Sequence, residues 1–534
     1  MTQLTRSAVT PVGPQDWRRW AALVVVCLAA LIVNVDNTIL NVALPTLVRD
    51  LDASSSELQW IVDSYAIAFA GLLFVGGSLA DRFGRQRFFL IGLSVFALGS
   101  VGAAFSGSVH VLIACRAVMG AGAALTIPAS LSIINDVFRD PEERARAIGA
   151  WAGTIGLGIA IGPIAGGLLL SRFWWGSIFL VNIPIVLIGL VGAAALVPDS
   201  KNPDVQRPDP VGALLSIVGL GLLLWAIIEG PTQGWTSGIV AGTGSASLVA
   251  LGGFVAWEWR CGHPMLKLAF FRDRRFSVAL AAECLAVFGL MGALFLSTQF
   301  LQFDLGLSPL AAGIRILPIA GMVIVSAALS PVLARLIGTK CTVAAGLGLI
   351  AAGLWQVAAA SRLQTTYGDI VVGLVLIGFG AGLMLPTATN SVIGSVPRGD
   401  SGIGSATNTV ALQVGGALGV AVVGSVMLTR YQGHMRAVLS GRHVPASVAQ
   451  TILGSLGGAL AVAARVGWTT GSLLAREART AFMSGNGIAL AVAAIVSVAG
   501  VVLVLAALPS QPRRVPGARA DQGEDTAQRP RGRL

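Results

Sequence analysis

Apolar stretches of about 20 residues follow one another along almost the whole chain, separated by short segments rich in Arg, Asp, Gly and Pro. The hydrocarbon core of a bilayer is ~30 Å thick, so each stretch has the length of one membrane-spanning helix. Of the 534 residues, 55% are hydrophobic and 11% are charged, whereas soluble domains carry about 25% charged residues. The chain is therefore predicted to be an all-α integral membrane protein without a separate soluble domain.

The apolar stretches predict fourteen transmembrane helices. They cover residues 21–45, 57–80, 88–107, 109–135, 146–169, 174–196, 211–229, 238–258, 276–301, 309–334, 341–360, 367–393, 402–428 and 485–508. The first imitates a secretory signal, but no small-residue cleavage site follows it, so we assign it to helix 1. Most of the 36 Lys and Arg residues fall on one side of this map, which predicts that both termini are cytoplasmic.

An internal repeat divides the predicted helices into two halves. Residues 120–128 of helix 4 and residues 378–386 of helix 12 share the same spacing of two glycines and a proline, and residues 80–84 resemble residues 334–338. Both matches are eight helices apart, which indicates two six-helix bundles separated by two extra helices. Secondary transporters with such halves place the binding site between them, near the bilayer midplane.

This 6+2+6 arrangement predicts five segments. They are a cytoplasmic tail (1–20), an N-terminal bundle (21–197), two linker helices with flanking loops (198–275), a C-terminal bundle (276–508) and a disordered basic tail (509–534). Within the C-terminal bundle, the stretch 429–484 is the least regular part. It could hold extra membrane-inserted helices, but we favour a periplasmic amphipathic hairpin.

The loop after helix 2 carries a motif of charged residues and glycine. Its members are Gly77, Asp81, Arg82, Gly84 and Arg85. Gly84 permits a sharp reversal of the chain, and Arg85 is expected to reach Asp136 at the end of helix 4. Such a cluster would hold an inner gate shut, although simple anchoring by positive charge would use similar residues.

Helix 5 carries a stripe of glycines. Gly158, Gly162 and Gly166 recur at intervals of four, with Pro163 and Gly167 beside them. Small residues on one face allow a second helix to approach closely where lipid supplies no hydrophobic drive. The stripe therefore predicts a close helix contact, and the proline predicts a bend.

These motifs resemble those of the major facilitator superfamily, and specifically the fourteen-helix drug:proton antiporters of the QacA, LfrA and EmrB type. The resemblance also rests on residues 36–45 in helix 1, residues 60–65 in helix 2, and Arg116 with Gly120 in helix 4. It implies a monomeric exporter of drug-like molecules, driven by protons, in the bacterial plasma membrane. The helix 5 run is similar to the family's antiporter motif, which implies exchange and argues against import.

Two carboxylates in the predicted spans are candidates for proton coupling. Asp36 lies ~22 Å into helix 1, and Asp63 lies ~9 Å into helix 2 from the outside. Charged groups cost at least ~2.5 kcal/mol in a membrane and are rarely kept without a task, although an interhelical hydrogen bond could satisfy either one. The resemblance assigns Arg116 to proton transfer as well, with an interfacial, snorkelling arginine as the alternative.

Other polar residues in the spans are candidates for lining a substrate cavity. They are Asn34, Asn37, Asn41, Trp60, Glu283, Gln299, Asn390, Asn408 and Gln413. At 100° per residue, Asp36 lies 200° from Asn34, so Asp36 faces a neighbouring helix if the asparagines face the cavity. Asn408 and Thr409 stand where some multidrug members carry a carboxylate, which leaves lipophilic monocations and neutral or zwitterionic antibiotics as candidate substrates.

Several other functional classes are disfavoured by the sequence. No phosphate-binding loop, catalytic constellation or metal-ligand spacing is present, so we predict neither an ATP-driven pump nor an enzyme, and neither a cofactor nor a metal. The net charge of +11 resides in loops and not on a soluble basic face, so no nucleic-acid partner is expected. The remaining alternative is a major facilitator protein that moves an endogenous metabolite or lipid.

Overall fold

The computed structural model describes residues 16–201, 208–397 and 400–509, and these ranges form helices joined by short loops. Most of both predicted tails lies outside them. The helices are α1 (Asp16–Asp50), α2 (Ser55–Phe83), α3 (Arg85–Ala104), α4 (Val109–Val137), α5 (Pro141–Arg172), α6 (Ser177–Leu180), α7 (Asn182–Leu196), α8 (Pro210–Gln233), α9 (Gly238–Arg260), α10 (Arg274–Gln299), α11 (Pro309–Ala360), α12 (Tyr367–Gly394), α13 (Ser401–Leu439), α14 (Ala446–Gly454), α15 (Leu456–Arg465) and α16 (Trp468–Ala507). A 3₁₀ turn (Leu268–Arg272) precedes α10, and a π turn (Phe300–Asp304) follows it.

The number of membrane crossings agrees with the prediction. Within the described ranges, thirteen helical stretches are long and apolar enough to cross a bilayer. One of them, α11, has 52 residues and would be ~78 Å long if straight, more than twice the thickness of the hydrocarbon core. Gly338, with φ 83° and ψ 156°, interrupts α11 and divides it into two crossings, which gives fourteen.

The predicted loop 429–484 is mostly helical. α13 continues to Leu439 and α16 already begins at Trp468, because a helix can accept charged residues once it leaves the hydrocarbon. The end of α13 is marked by Gly441, which has φ 76° and supplies the left-handed residue common after a helix C-terminus. The intervening α14 and α15 have 9 and 10 residues, too few to span the membrane.

The helices pack as two bundles and a linker hairpin. α1 to α7 form the N-terminal bundle, α10 to α13 and α16 form the C-terminal bundle, and α8 and α9 pack against each other between them in sequence. The two bundles meet along α2 with α13 and along α5 with α11, while α8 contacts both α2 and α13. We call the end of the molecule that carries Asp81, Arg85 and Asp136 the motif face, and the opposite end the far face.

Candidate functional site

A buried ion pair lies in the N-terminal bundle. Arg116 on α4 donates through Nη1 to Oδ2 of Asp36 on α1, and both residues are fully buried. The Nε of Arg116 donates to the carbonyl oxygen of Ile61 at 3.1 Å, and the guanidinium lies 4.4 Å from the ring centroid of Tyr65. The arginine is therefore fixed by α1 and α2 and does not extend towards the bilayer surface.

The second carboxylate oxygen of Asp36 is also bound. Asn182 on α7 donates through Nδ2 to this oxygen at 3.0 Å and to the hydroxyl of Ser100 at 2.9 Å. Asp36 thus faces α4 and α7, as its position relative to the asparagine stripe suggests. The sequence interpretation missed Asn182, although an amide inside an otherwise apolar span was a usable signal.

Asp63 lies in a different environment. It is fully buried on α2, and neither of its carboxylate oxygens has a hydrogen-bond partner in the described part of the chain. One helical turn earlier, Gln59 accepts a hydrogen bond from Ser425 of α13 at 3.2 Å. Asp63 therefore follows the face of α2 that meets the C-terminal bundle, whereas Asp36 is held within the N-terminal bundle.

The far face is closed by direct contacts between the bundles. Gln302 donates through Nε2 to the carbonyl oxygen of Val42 at 2.8 Å, and Ser425 donates to Gln59 at 3.2 Å. The antiporter-like run adds a third contact, because a Cβ on Gly313 of α11 would stand 2.3 Å from the carbonyl oxygen of Pro163. These three contacts hold the two bundles together at the far face.

The glycine stripe of α5 packs on α1. A Cβ on Gly158 would stand 2.6 Å from the Cβ of Asn34, and one on Gly162 would stand 1.9 Å from Oγ1 of Thr38. Thr38 also donates to the carbonyl oxygen of Gly158 at 2.8 Å. On the other side of the helix, Gly167 approaches the backbone of Leu310 on α11. The glycine run therefore packs α5 against α1 of its own bundle and against α11 of the C-terminal bundle.

Substitution of Gly162 by Ala is expected to destabilise the protein by a few kcal/mol, in the range of overpacked cores, because the new methyl group would overlap Thr38. The measurement is the thermal midpoint of the purified protein in detergent. Gly153→Ala is the matched control on the same helix, since no neighbouring atom of the described residues lies within 4 Å of its Cβ position, and it should leave the midpoint unchanged or raised. Equal midpoints for both variants would contradict this packing.

The motif face carries a second charged cluster. Nε of Arg85 donates to Oδ1 of Asp81 at 2.6 Å, and Nη1 contacts Oδ2 of Asp136. The hydroxyl of Ser200 donates to the same Asp136 oxygen, and Gly84 makes the intervening turn with φ 126°. The predicted Arg85–Asp136 contact is thus present. Every contact named here joins segments of the N-terminal bundle or the chain just after it.

A cavity of about 450 Å³ opens between the bundles on the motif face. It is bordered by α2, α4 and α13 and by the segment after α9. Its polar and charged lining residues are Ser78, Asp81, Ser132, Asn135, Asp209, His263, Asp400, Ser405 and Thr409. The molecule is therefore closed at the far face and accessible from the motif face.

The nine predicted substrate-cavity residues do not border this cavity in the described chain. Asn34 and Asn41 donate to backbone carbonyl oxygens of their own helix, and Asn37 is half-buried on the same helix. Gln299 likewise bonds within α10, and Asn390 is exposed. A role for these five residues in substrate binding stays a prediction.

The other four members of the set lie at helix contacts. Trp60 donates to Glu229 of α8 at 3.3 Å, and Gln413 borders a small pocket between α2, α8 and α13. Glu283 is fully buried and accepts a hydrogen bond from Thr389 of α12. Asn408 is buried with a side-chain oxygen that has no partner among the described residues.

Comparisons with known proteins identify the family. Residues 26–420 match the model of the Major Facilitator Superfamily. The chain belongs to this superfamily. Among curated relatives, the multidrug efflux pump LfrA of Mycolicibacterium smegmatis is 35% identical to this chain, over 91% of this chain and 96% of LfrA.

Two further relatives cover most of both chains. The tetracenomycin C resistance and export protein of Streptomyces glaucescens is 32% identical, over 95% of this chain and 94% of its own length. The methyl viologen resistance protein SmvA of Salmonella typhimurium is 32% identical, over 92% and 97%. Among solved structures, a bacterial homologue of the human lysosomal transporter Spinster, inward-facing and occupied, matches with TM-score 0.65 and 17% identity, over 92% of this chain and 97% of that one. This last likeness supports the major facilitator fold.

Proposed function

We propose that this protein is a proton-driven antiporter that exports lipophilic drug-like compounds, with a preference for cations, across the bacterial plasma membrane. The observation that carries the proposal is the pair of buried carboxylates in different environments, Asp36 bound to Arg116 and Asp63 without a partner among the described residues. The relatives named for multidrug, tetracenomycin C and methyl viologen resistance support export.

Alternating access requires that the two faces open in turn. With the motif face in the cytoplasm, as the distribution of basic loops predicts, the arrangement corresponds to an inward-facing state. A substrate would enter the cavity of about 450 Å³, which is within the size range of drug-binding pockets. Asp81 borders it and shares the guanidinium of Arg85 with Asp136, so two carboxylates face one cation, and excess negative charge at a cleft raises the local concentration of cations.

Proton binding would act on the contacts between helices. A proton on Asp36 would neutralise the partner of Arg116 and weaken a charge-assisted hydrogen bond, which frees α1 and α4 to shift. A proton on Asp63 would remove a charge that is costly away from water and favour close contact of α2 with α13. Each proton thus changes the energy of one helix arrangement relative to another, as a coupled transporter requires.

Transport into vesicles of known orientation tests the proposal. Purified protein in liposomes should move ethidium, a lipophilic monocation, against its concentration gradient when a pH gradient is imposed, and the movement should stop when a protonophore collapses that gradient. Tetracenomycin C, after which one of the relatives is named, provides a second test compound. Ethidium movement that only follows its own gradient, whatever the pH difference, would contradict proton-driven antiport.

A further inference from the structure

Two buried carboxyl groups lie where the linker hairpin α8–α9 reaches the motif face, at the border of the cavity and apart from the Asp36–Arg116 pair. Asp209 precedes α8 and Glu258 lies in the last turn of α9, and they are only 5% and 3% exposed. Asp209 accepts hydrogen bonds from the backbone N–H of Gly212 at 2.9 Å and from Nε1 of Trp257 at 2.9 and 3.0 Å. Oε2 of Glu258 accepts the backbone N–H of Leu266 at 3.0 Å.

The two carboxyl groups converge on one point. Oδ2 of Asp209 and Oε1 of Glu258 each lie 2.6 Å from the position that a Cβ on Gly212 would occupy. Only glycine leaves room there for both oxygens. Oε1 of Glu258 is buried and has no hydrogen-bond donor in the described part of the chain. This buried oxygen faces a second carboxylate, and the two side chains are placed to form a hydrogen bond when one of them carries a proton.

A proton fits this place. Two ionised carboxylates in contact and away from water repel each other strongly, and one proton shared between them removes the repulsion. The oxygens of Asp209 already accept hydrogen bonds from Gly212 and Trp257, whereas Oε1 of Glu258 accepts none in the described part of the chain. The proton therefore belongs on Oε1 of Glu258, which then donates to Oδ2 of Asp209.

We propose that Asp209 and Glu258 form a proton-binding site, and that this proton holds the segment 263–267 at the mouth of the motif-face cavity. His263, Pro264 and Met265 line that cavity together with Asp209. The backbone N–H of Leu266 is bound by Glu258, and Nζ of Lys267 lies 2.6 Å from Oδ1 of Asp400, the residue that precedes α13. The segment thus connects the linker hairpin to the C-terminal bundle.

The direction of the pH effect follows from the charges around the site. Glu258 of α9 faces Asp209, which caps α8. The segment that packs on Glu258 carries His263 and Lys267, and Lys267 is bound to Asp400. When Glu258 loses its proton, two negative charges face each other and push the ends of α8 and α9 apart. Glu258 then moves away from Leu266, and the hydrogen bond from the Leu266 N–H is lost. A higher pH on the motif face should therefore loosen the segment 263–267.

Hydrogen–deuterium exchange of the whole purified protein tests this site without depending on transport. After correction for the chemical exchange rate, amide protection of the segment 263–267 should fall about fivefold between about pH 6 and pH 9, the equivalent of one ordinary hydrogen bond. Glu258→Gln keeps a neutral donor towards Asp209 and should retain the protection at both pH values.

Gly212→Ala provides the second variant. Its methyl group would occupy the point at which the oxygens meet, so protection of the segment should be low at both pH values while the rest of the protein stays protected. The proposal is overturned if wild-type protection is independent of pH, or if Glu258→Gln shows the same pH dependence as wild type. It is equally overturned if added sodium or calcium chloride restores protection at fixed high pH, because the ligand would then be a metal cation. Failure of proton-driven transport leaves this readout unaffected.

Discussion

Replacing Asp36 by Asn is expected to abolish export driven by a pH gradient and to lower the thermal stability of the protein. The substitution leaves the guanidinium of Arg116 buried without its counter-charge, and removing one partner of a buried ion pair costs about 3–5 kcal/mol. It also removes the group proposed to bind the proton. The measurements are ethidium export in proteoliposomes and the thermal midpoint in detergent.

Loss of transport alone would not distinguish coupling from unfolding, so a second variant is needed. The double variant Asp36→Asn with Arg116→Gln removes both charges and should recover most of the thermal stability, because no unpaired charge remains. We expect it to stay inactive in pH-driven export, since the proton site is still absent. If the double variant recovers stability and pumps like wild type, Asp36 has only a structural role.

Much of the fold was predictable because the bilayer restricts the choice of structure. Backbone polar groups in lipid must be satisfied within each segment, so an apolar stretch of about 20 residues becomes a helix. The break at Gly338 falls between the predicted spans 309–334 and 341–360 for the same reason. The ends of α13 and α16 were not predictable in this way, because Arg430 and Arg476 break the apolar pattern without stopping the helix.

The candidate site was predictable only in part. Helical periodicity separates Asp36 from the asparagine stripe, and this is how the structure places them. The partners of Asp36 depend on which residues of other helices come close, so Asn182 and Ser100 could not be deduced from spacing along α1. The sequence also does not determine which face is open, since an alternating-access protein must adopt both arrangements; the cavity beside Asp81 is visible only in the structure.

Asp63→Asn is expected to give the opposite stability result to Asp36→Asn, although it too should lose pH-driven export. The Asp63 carboxylate has no hydrogen-bond partner among the described residues, so its neutral amide analogue relieves the cost of burying a charge, and the thermal midpoint should stay constant or rise. Because the substrate cavity is left intact, exchange of labelled ethidium for unlabelled ethidium at equal pH should continue. Net export under a pH gradient should fall to the level of empty liposomes.

The combination of these readouts is what assigns a coupling role to Asp63. A residue that only maintains the α2–α13 contact would change exchange and net export together, because both require the two arrangements of the bundles. A proton-binding residue affects only the step in which the empty transporter returns with a proton, since substrate exchange bypasses that step. Retained net export in Asp63→Asn would therefore place the coupling proton elsewhere, whereas loss of exchange along with export would mean that Asp63 is needed for the movement of the bundles themselves.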